Sequence, residues 1–273
     1  MAFVLLKILK GGKELKAELD KVKEFWDVMA ERFYDYEIPT CENNKFMSLL
    51  KNQGILDSNE KVLDVGCGAG KFSFGCAPYV KEVIGTDISP NMISYGNKRK
   101  ALESIDNVEF QCISWQESNI EDMDWENKFH LVFAHMTPAV KDMESIEKIR
   151  KASKKWCVIT KSVYRKNTIN DEVNKICGNV VSGYGEEEIL QLLKMLWAEG
   201  ITPEIVYEKE NWENTLPVEQ SLNTYIKRMS TKKELTKLEK ESIEKYLKSI
   251  EINGQVTEVT NAIKCTIYWQ ENR

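Results

Sequence analysis

Residues 61–70 read KVLDVGCGAG, a short apolar run that leads into three glycines at alternate positions. Gly66, Gly68 and Gly70 carry no Cβ, so the backbone there can turn sharply and approach a bound molecule closely. A short apolar run followed by such a turn is typical of the first strand of an α/β sheet. The stretch therefore predicts a strand, a ligand-binding turn and the start of a helix.

Further apolar runs alternate with helical stretches after this first strand. The predicted strands cover 82–87, 108–113, 129–134 and 156–160, and the predicted helices between them cover 90–104 and 142–153. Ser89-Pro90 is a typical helix start, an N-cap followed by proline in the first turn. The alternation predicts a doubly wound, mostly parallel, seven-stranded α/β sheet of the Rossmann-like type, with its ligand at the carboxyl ends of the strands.

Both ends of the chain add helical patterns to this centre. Residues 13–37 carry an apolar stripe at helical spacing, and a second helix is expected at about 43–53. Beyond a polar stretch at 166–183 without a clear pattern, we expect helices at 186–198, 217–229 and 232–250, and strands at 203–209 and 262–269. These patterns predict an N-terminal helical lid over 1–55 and a Rossmann-like domain over 56–273 with a helical insertion at about 210–250.

The composition restricts the class of protein. The 273 residues are 42% hydrophobic and 30% charged, as in globular proteins, and the net charge of −5 disfavours a dedicated nucleic-acid binder. Seven cysteines without C-x-x-C spacing and two histidines predict no metal site, and indicate buried thiols in a reducing compartment, the cytoplasm. Lys7 interrupts the first apolar run and no window approaches about 18 apolar residues, so we expect neither a secretory signal nor a membrane span.

Two acids flank the glycines and indicate the charge of the ligand. Asp87 ends the second strand, where a carboxylate can accept hydrogen bonds from two ribose hydroxyls. Asp64 lies two residues before Gly66, where its charge repels a phosphate and suits an ammonium or a sulfonium. The spacing also departs from G-x-G-x-x-G, because Lys71 stands three residues after Gly68. These features favour a positively charged cofactor over a dinucleotide.

Two stretches resemble motifs of a known family. Residues 62–70 (VLDVGCGAG) and 85–92 (GTDISPNM) are similar to the first and second motifs of class I S-adenosylmethionine-dependent methyltransferases. The resemblance covers roughly residues 25–160 and extends to 273, where the predicted strand 262–269 takes the place of the reversed last strand of the family. It implies a methyltransferase with S-adenosylmethionine as its cofactor.

The resemblance also implies roles for individual residues. The turn at Gly66, Cys67 and Gly68 is expected to line the methionine part of the cofactor, with Asp64 orienting the turn or binding the ammonium, and Asp87 is expected to bind the ribose. The remaining expected cofactor contacts are Ile88, Met92, Ser114, Trp115 and Ala134. Where the family often has an acid after the third strand, this chain has Ser-Trp-Gln. A structural role remains the alternative: packing for Ile88 and Met92, and capping of local backbone for Asp64.

The end of the fourth predicted strand is where the family places the transferring methyl. His135 is the candidate general base there, and the alternative is a loop histidine that only shapes the pocket. Tyr34, Tyr36 and Met136 are expected to line the acceptor pocket. The sequence has neither the Asp/Asn-Pro-Pro-aromatic motif of nucleic-acid amino-methyltransferases nor a Pro-Cys pair for thiol chemistry on a pyrimidine. We therefore expect a small-molecule acceptor and not a nucleic acid.

Two other functions stay open at this point. A non-catalytic module that binds S-adenosylmethionine would carry the same motifs, and a nucleotide-binding dehydrogenase would share the fold. Asp64 argues against the dehydrogenase, because a dinucleotide-binding turn presents a bare, positive helix end to its pyrophosphate. The sequence leaves the oligomeric state and the identity of the acceptor open.

Overall fold

The computed structural model describes residues 2–179, 186–231 and 233–271. Its strands are β1 (Lys61–Val65), β2 (Glu82–Asp87), β3 (Val108–Cys112), β4 (Phe129–His135), β5 (Ser153–Asn167), β6 (Glu204–Pro217) and β7 (Gln255–Gln270). They form one seven-stranded sheet in the order β3-β2-β1-β4-β5-β7-β6. The doubly wound, mostly parallel sheet expected from the sequence is confirmed.

Two of the helices precede β1 and the others lie in the connections between strands, except that turns form the β3–β4 connection. The helices are α1 (Ala2–Met29), α2 (Lys45–Asn52), α3 (Lys71–Cys76), α4 (Pro90–Glu103), α5 (Met143–Ala152), α6 (Thr168–Ile176), α7 (Glu186–Ala198), α8 (Val218–Ser230) and α9 (Lys237–Ser249). Short 3-10 turns lie at Ala30–Phe33 and Ala77–Tyr79. In the part of the chain that the structure describes, no helix combines the length and the apolar character needed to cross a bilayer.

The direction of the strands determines where the site is built. β3, β2, β1, β4 and β5 pair in parallel. β7 runs against β5, because Thr160 contacts Thr266 whereas Asn167, further along β5, contacts Thr260, earlier on β7. Parallel strands bring their carboxyl ends to one edge of a sheet. The turn after β1, the end of β2, the end of β3 and the end of β4 therefore share that edge.

The chain divides into two compact units, of which the larger contains the described residues of Ala30–Arg165, Gly183–Glu210 and Asn261–Arg273. Its sheet has a core on each face, since side chains alternate along a strand. Leu63 belongs to the cluster that includes residues of α5 and α7, and its neighbour Val62 belongs to the cluster that includes residues of α2, α3 and α4. The larger unit is thus a three-layer α/β structure.

The smaller unit contains the described residues of Met1–Met29, Lys166–Ser182 and Asn211–Thr260. Helices α6, α8 and α9 form its own apolar core, in which Val173, Ile243 and Leu247 are fully buried. Beside that core, Asn167 and Tyr225 both donate hydrogen bonds to the carboxylate of Glu258. The predicted division into a lid over 1–55 and a domain over 56–273 stays a prediction.

The predicted bounds of the first helix, 13–37, were wrong. Helix α1 covers Ala2–Met29 and is followed by the 3-10 turn, so it begins and ends earlier. Each of the two glycines at 11–12 costs about 1 kcal/mol in a helix, and the good helix formers on both sides outweigh that cost. Phe33, which the periodicity placed on the buried stripe, is 46% exposed.

The last three strands are also longer than predicted. The predictions of 156–160, 203–209 and 262–269 stop where the apolar residues stop, whereas β5, β6 and β7 continue through polar residues. Cross-strand contacts such as that of Thr215 with Thr257, 2.9 Å between hydroxyls, hold these extensions without hydrophobic alternation. Helix α6 lies in the stretch 166–183 that showed no pattern, and residues 180–183 of that stretch lie outside the described residues.

Candidate active site

The glycine turn, residues 66–70, follows β1 directly. Gly66, Gly68 and Gly70 have φ angles of 68°, 57° and 89°, in the left-handed region that favours glycine. Apart from its two chain neighbours, the nearest atom to a Cβ on Gly68 would be the Met92 sulfur at 3.9 Å, an ordinary van der Waals distance. A molecule lying beside Gly68 would therefore meet bare backbone.

Asp87, at the end of β2, is tied to this turn. Its Oδ2 accepts a hydrogen bond from the Gly68 N–H at 2.9 Å, and its Oδ1 accepts one from the Ser89 N–H at 2.9 Å. Ser89 in turn caps α4 by accepting from the Met92 N–H at 3.1 Å. These two bonds fix the Asp87 carboxylate at the end of β2, beside the glycine turn.

Asp64 lies beneath the turn, only 2% exposed. The Ser73 hydroxyl on α3 donates to its Oδ2 at 2.6 Å. Burial raises the pKa of Asp64 to about 7; the hydrogen bond from Ser73 opposes this rise and the charge of Asp87 adds to it. The contact with Ser73 favours an orienting role for Asp64, and binding of a ligand ammonium through it stays a prediction.

The predicted adenine contacts fall into two groups. The first group follows Asp87 in the sequence: Ile88 is the next residue and is half-buried, and Met92 lies in the first turn of α4 and is 2% exposed. Ser114 has a buried hydroxyl oxygen with no hydrogen-bond partner among the described residues. Trp115 instead lies in the core: it is 2% exposed and its indole N–H donates to the Ser145 carbonyl at 3.0 Å.

His135 is the last residue of β4, immediately after the buried Ala134. Its ring packs against Phe72 at 4.1 Å and against Phe46 at 4.6 Å between centroids. Burial, followed by the charges of Lys264 and Lys71, holds the pKa of His135 well below its usual 6.5. The imidazole is therefore neutral near pH 7. It can accept a proton, but its lowered pKa makes it a weaker base than an ordinary histidine.

Residues 136–140 form the loop after β4, here called the β4 loop. Met136 has a φ of 54° and donates its N–H to the Thr160 carbonyl at 2.9 Å. The buried Lys161 ammonium donates to the carbonyls of Thr137 and Val140. The side chain of Thr137 lies directly against Gly66. The β4 loop and the glycine turn are therefore packed together.

Tyr34 and Tyr36, expected to line the acceptor pocket, contact other parts of the larger unit. The ring of Tyr34 packs against Tyr95 of α4, 5.1 Å between centroids. The Tyr36 hydroxyl donates to the Ala69 carbonyl at 2.7 Å. Contact of either tyrosine, or of Met136, with an acceptor stays a prediction.

Sequence reasoning missed two contributors to this edge, Ser73 and Phe72, and it placed Thr137 at the pocket floor without its contact with Gly66. Ser73, Thr137 and Phe72 contact Asp64, Gly66 and His135 respectively. The position of Ser73, three residues after the last glycine and in the first turn of α3, was a usable signal. No local pattern indicates the contact of Thr137, because its neighbour Gly66 is distant in sequence.

Residues 56–242 match a family model described as a methyltransferase domain, which is more than half of the chain. The chain belongs to the methyltransferase domain family. The family is that of class I S-adenosylmethionine-dependent methyltransferases, as the resemblance implied, and its cofactor is S-adenosylmethionine. This family membership argues against the nucleotide-binding dehydrogenase considered from the sequence.

Curated relatives match only a part of this methyltransferase. The 23S rRNA uracil C5-methyltransferase RlmD of Shewanella amazonensis is 35% identical over 60 residues, 22% of this chain and 14% of that protein. The putative methyltransferase 235L of Invertebrate iridescent virus 6 is 32% identical over 93 residues, 32% of this chain and 33% of that protein. The chain thus spans a third or less of the length of these two relatives.

A solved structure supports the fold over a larger share of the chain. The YcgJ protein of Bacillus subtilis superposes with a TM-score of 0.51 at 15% identity, over 83% of this chain and 97% of that one. At this identity the likeness shows the Rossmann-like fold alone.

The residues of the edge fit the cofactor. A Cβ on Gly68 would meet only the Met92 sulfur at van der Waals distance, the Asp87 carboxylate is held beside the turn, and the Ser114 hydroxyl is buried with no partner among the described residues. These are the groups that a methionine chain, a ribose and an adenine amino group would require. No three His, Cys, Asp or Glu side chains of the described residues form a cluster that could hold a metal ion.

Proposed function

We propose that this methyltransferase transfers the methyl group to a small-molecule acceptor by in-line displacement, with His135 at the acceptor. The observation that carries this proposal is the surroundings of His135, a neutral imidazole at the end of β4 that packs against Phe46 and Phe72, which also contact each other. The β4 loop that follows has the sequence Met-Thr-Pro-Ala-Val. It contains neither the cysteine nor the Pro-Pro pair of the motifs that methylate nucleobases. An apolar surrounding with one polar group suits a small acceptor.

We assign the cofactor contacts to the expected residues, Trp115 excepted. The turn at Gly66, Cys67 and Gly68 lies along the methionine part, with Asp64 orienting it from below. Asp87 accepts the ribose hydroxyls. Ile88 and Met92 flank the adenine, the Ser114 hydroxyl bonds to it, and Ala134 lies at the reacting end.

The chemistry then depends mainly on alignment. Bound S-adenosylmethionine supplies a methyl group already activated on a cationic sulfur. The packed glycine turn and β4 loop hold the two reactants in line, which provides most of the acceleration in such a displacement. His135 accepts a proton only where the attacking atom of the acceptor must lose one.

Charges in the described residues support a small molecule over RNA. Residues 227–248 contain eight lysines and arginines, and three of these form ion pairs with glutamates of the same segment. The pairs are Lys233 with Glu239, Lys237 with Glu241 and Lys248 with Glu244. These ion pairs and the net charge of −5 argue against a surface built to neutralise phosphates. Seven free cysteines, five of them buried, support a cytoplasmic location.

The test uses methyl-labelled S-adenosylmethionine. The protein is incubated with a cell extract separated into a small-molecule fraction, an RNA fraction and a protein fraction, and the label is followed. We expect label in the small-molecule fraction, and none there with the Asp87→Ala variant. Label in RNA would overturn the choice of acceptor. Cofactor binding without transfer to any fraction would identify a non-catalytic binding module.

A further inference from the structure

The segment after the 3-10 turn is held against one face of α4. Tyr34 packs against Tyr95, and the guanidinium of Arg99 lies over the ring of Tyr36, 5.3 Å from its centroid. Tyr95 and Arg99 are four residues apart, so they lie on the same face of the helix. Two contacts from one helix face therefore fix the position of Tyr36.

Held in this way, Tyr36 reaches the glycine turn. Its hydroxyl donates to the carbonyl of Ala69, a residue only 3% exposed. The turn is also bonded to β2, because the Cys67 N–H donates to the Thr86 carbonyl at 2.9 Å and the Gly68 N–H donates to Asp87. The turn is thus held by β2 at Cys67 and Gly68 and by Tyr36 at Ala69.

The hydroxyl of Tyr36 is a dependable donor. Burial raises the pKa of this phenol above its usual 10, against the opposing charge of Arg99, so it stays protonated at every pH at which the protein is used. Its partner is a backbone carbonyl, which can only accept. Loss of the hydroxyl would leave the buried Ala69 carbonyl without this donor.

We infer that Tyr36 is a positioning residue for the cofactor, which holds the glycine turn in its binding geometry through the Ala69 carbonyl. A turn with three glycines has many accessible conformations, and ordering it on binding costs affinity. The bond from Tyr36 removes that cost in advance. The inference rests on the proposed placement of the cofactor along the glycine turn, and it replaces a direct contact of Tyr36 with the acceptor.

The experiment compares Tyr36→Phe with Tyr95→Phe. Both substitutions remove one hydroxyl and keep the ring, and only the first removes the bond to Ala69. Calorimetry with S-adenosylhomocysteine measures affinity, and hydrogen exchange of the segment 66–72 measures the order of the turn. We expect Tyr36→Phe to bind about tenfold more weakly and to exchange faster at 66–72 without ligand, with the difference lost at saturation. Tyr95→Phe should behave as the wild type in both measurements.

Three outcomes would overturn the inference. Equal affinity and equal exchange in Tyr36→Phe and the wild type would show that the bond does not order the turn. Faster exchange throughout the larger unit, with a lower melting temperature, would show a general structural role. An effect of Tyr95→Phe as large as that of Tyr36→Phe would assign the role to the packing. Failure of the wild-type protein to bind S-adenosylhomocysteine would contradict the placement of the cofactor instead.

Discussion

The Thr137 hydroxyl oxygen lies 2.0 Å from the point that a Cβ on Gly66 would occupy. This contact joins the β4 loop, where we place the acceptor, to the turn after β1, where we place the cofactor. No side chain larger than that of glycine fits between them unless one of the two segments moves.

Substitution of Gly66 by alanine tests this close packing. Gly54 is a matched control, because its φ of 63° is close to the 68° of Gly66 and a Cβ on it would have nothing within 4 Å. We expect Gly54→Ala to cost about 1 kcal/mol of stability from left-handed strain alone. Gly66→Ala should cost clearly more and weaken binding of S-adenosylhomocysteine at least tenfold. Urea unfolding and calorimetry check both; equal costs for the two variants would refute the close packing.

Asp64 should make stability depend on pH. Its folded-state pKa of about 7 lies above the 3.8 of an ordinary aspartate, so the folded state keeps the proton longer than the unfolded state. The stabilisation by this group is complete below about pH 4 and is lost as pH rises through 7. The shift corresponds to about 4 kcal/mol as an order of magnitude.

The Asp64→Asn variant should lose this part of the pH dependence while keeping an acceptor for the Ser73 hydroxyl. Denaturant unfolding between pH 5 and pH 8 measures it. We expect the free energy of unfolding of the wild type to fall more than that of the variant over this range. Parallel curves for the two proteins would show that Asp64 ionises as an ordinary carboxyl group.

His135→Ala should lower turnover much more than cofactor affinity once an acceptor is known. The ring lies at the end of β4, where it can meet the attacking atom, whereas the cofactor contacts are assigned to other residues. Because the pKa of His135 is well below 6.5, protonation should slow the wild type only at clearly more acidic pH. Equal losses of turnover and of affinity would indicate a structural role for His135.

Arg150 should be essential for the stability of the larger unit. Its guanidinium, 10% exposed, donates to Glu199 at 2.7 Å and to Glu271 at 2.8 Å, and the Glu271 side chain is only 4% exposed. Arg150→Met leaves that carboxylate buried without its cation, at a cost of about 3 kcal/mol.

Two further variants control this prediction. Lys237→Met breaks an exposed ion pair with Glu241 and should change the free energy of unfolding by less than about 1 kcal/mol. Adding Glu271→Gln to Arg150→Met removes the buried, unpaired charge of Glu271 and should restore part of the lost free energy of unfolding. Absence of any recovery would mean that packing, and not the buried charge, explains the effect of Arg150.

Local sequence patterns were sufficient to predict the bounds of elements whose burial is reflected in a regular pattern of apolar residues. The predicted bounds of α7, β1 and β2 agree with the observed ones. Burial gives parallel strands a continuous apolar run and amphipathic helices an apolar stripe, and both patterns are visible in the sequence. The extensions of β5, β6 and β7 were missed because polar cross-strand pairs hold them. The burial of Trp115 was not foreseen, because a tryptophan after a strand looks the same whether its ring enters the core or faces a ligand.

The sequence by itself determined the alternating sheet, the glycine turn and the acid at the end of β2, since each depends on residues that are neighbours along the chain. Only the tertiary structure decided that Thr137 packs against Gly66, that His135 packs against Phe46 and Phe72, and that Tyr36 donates to the Ala69 carbonyl. Those contacts join segments far apart in sequence. They form because packing at the common edge of parallel strands brings such segments together, and no local periodicity records that packing.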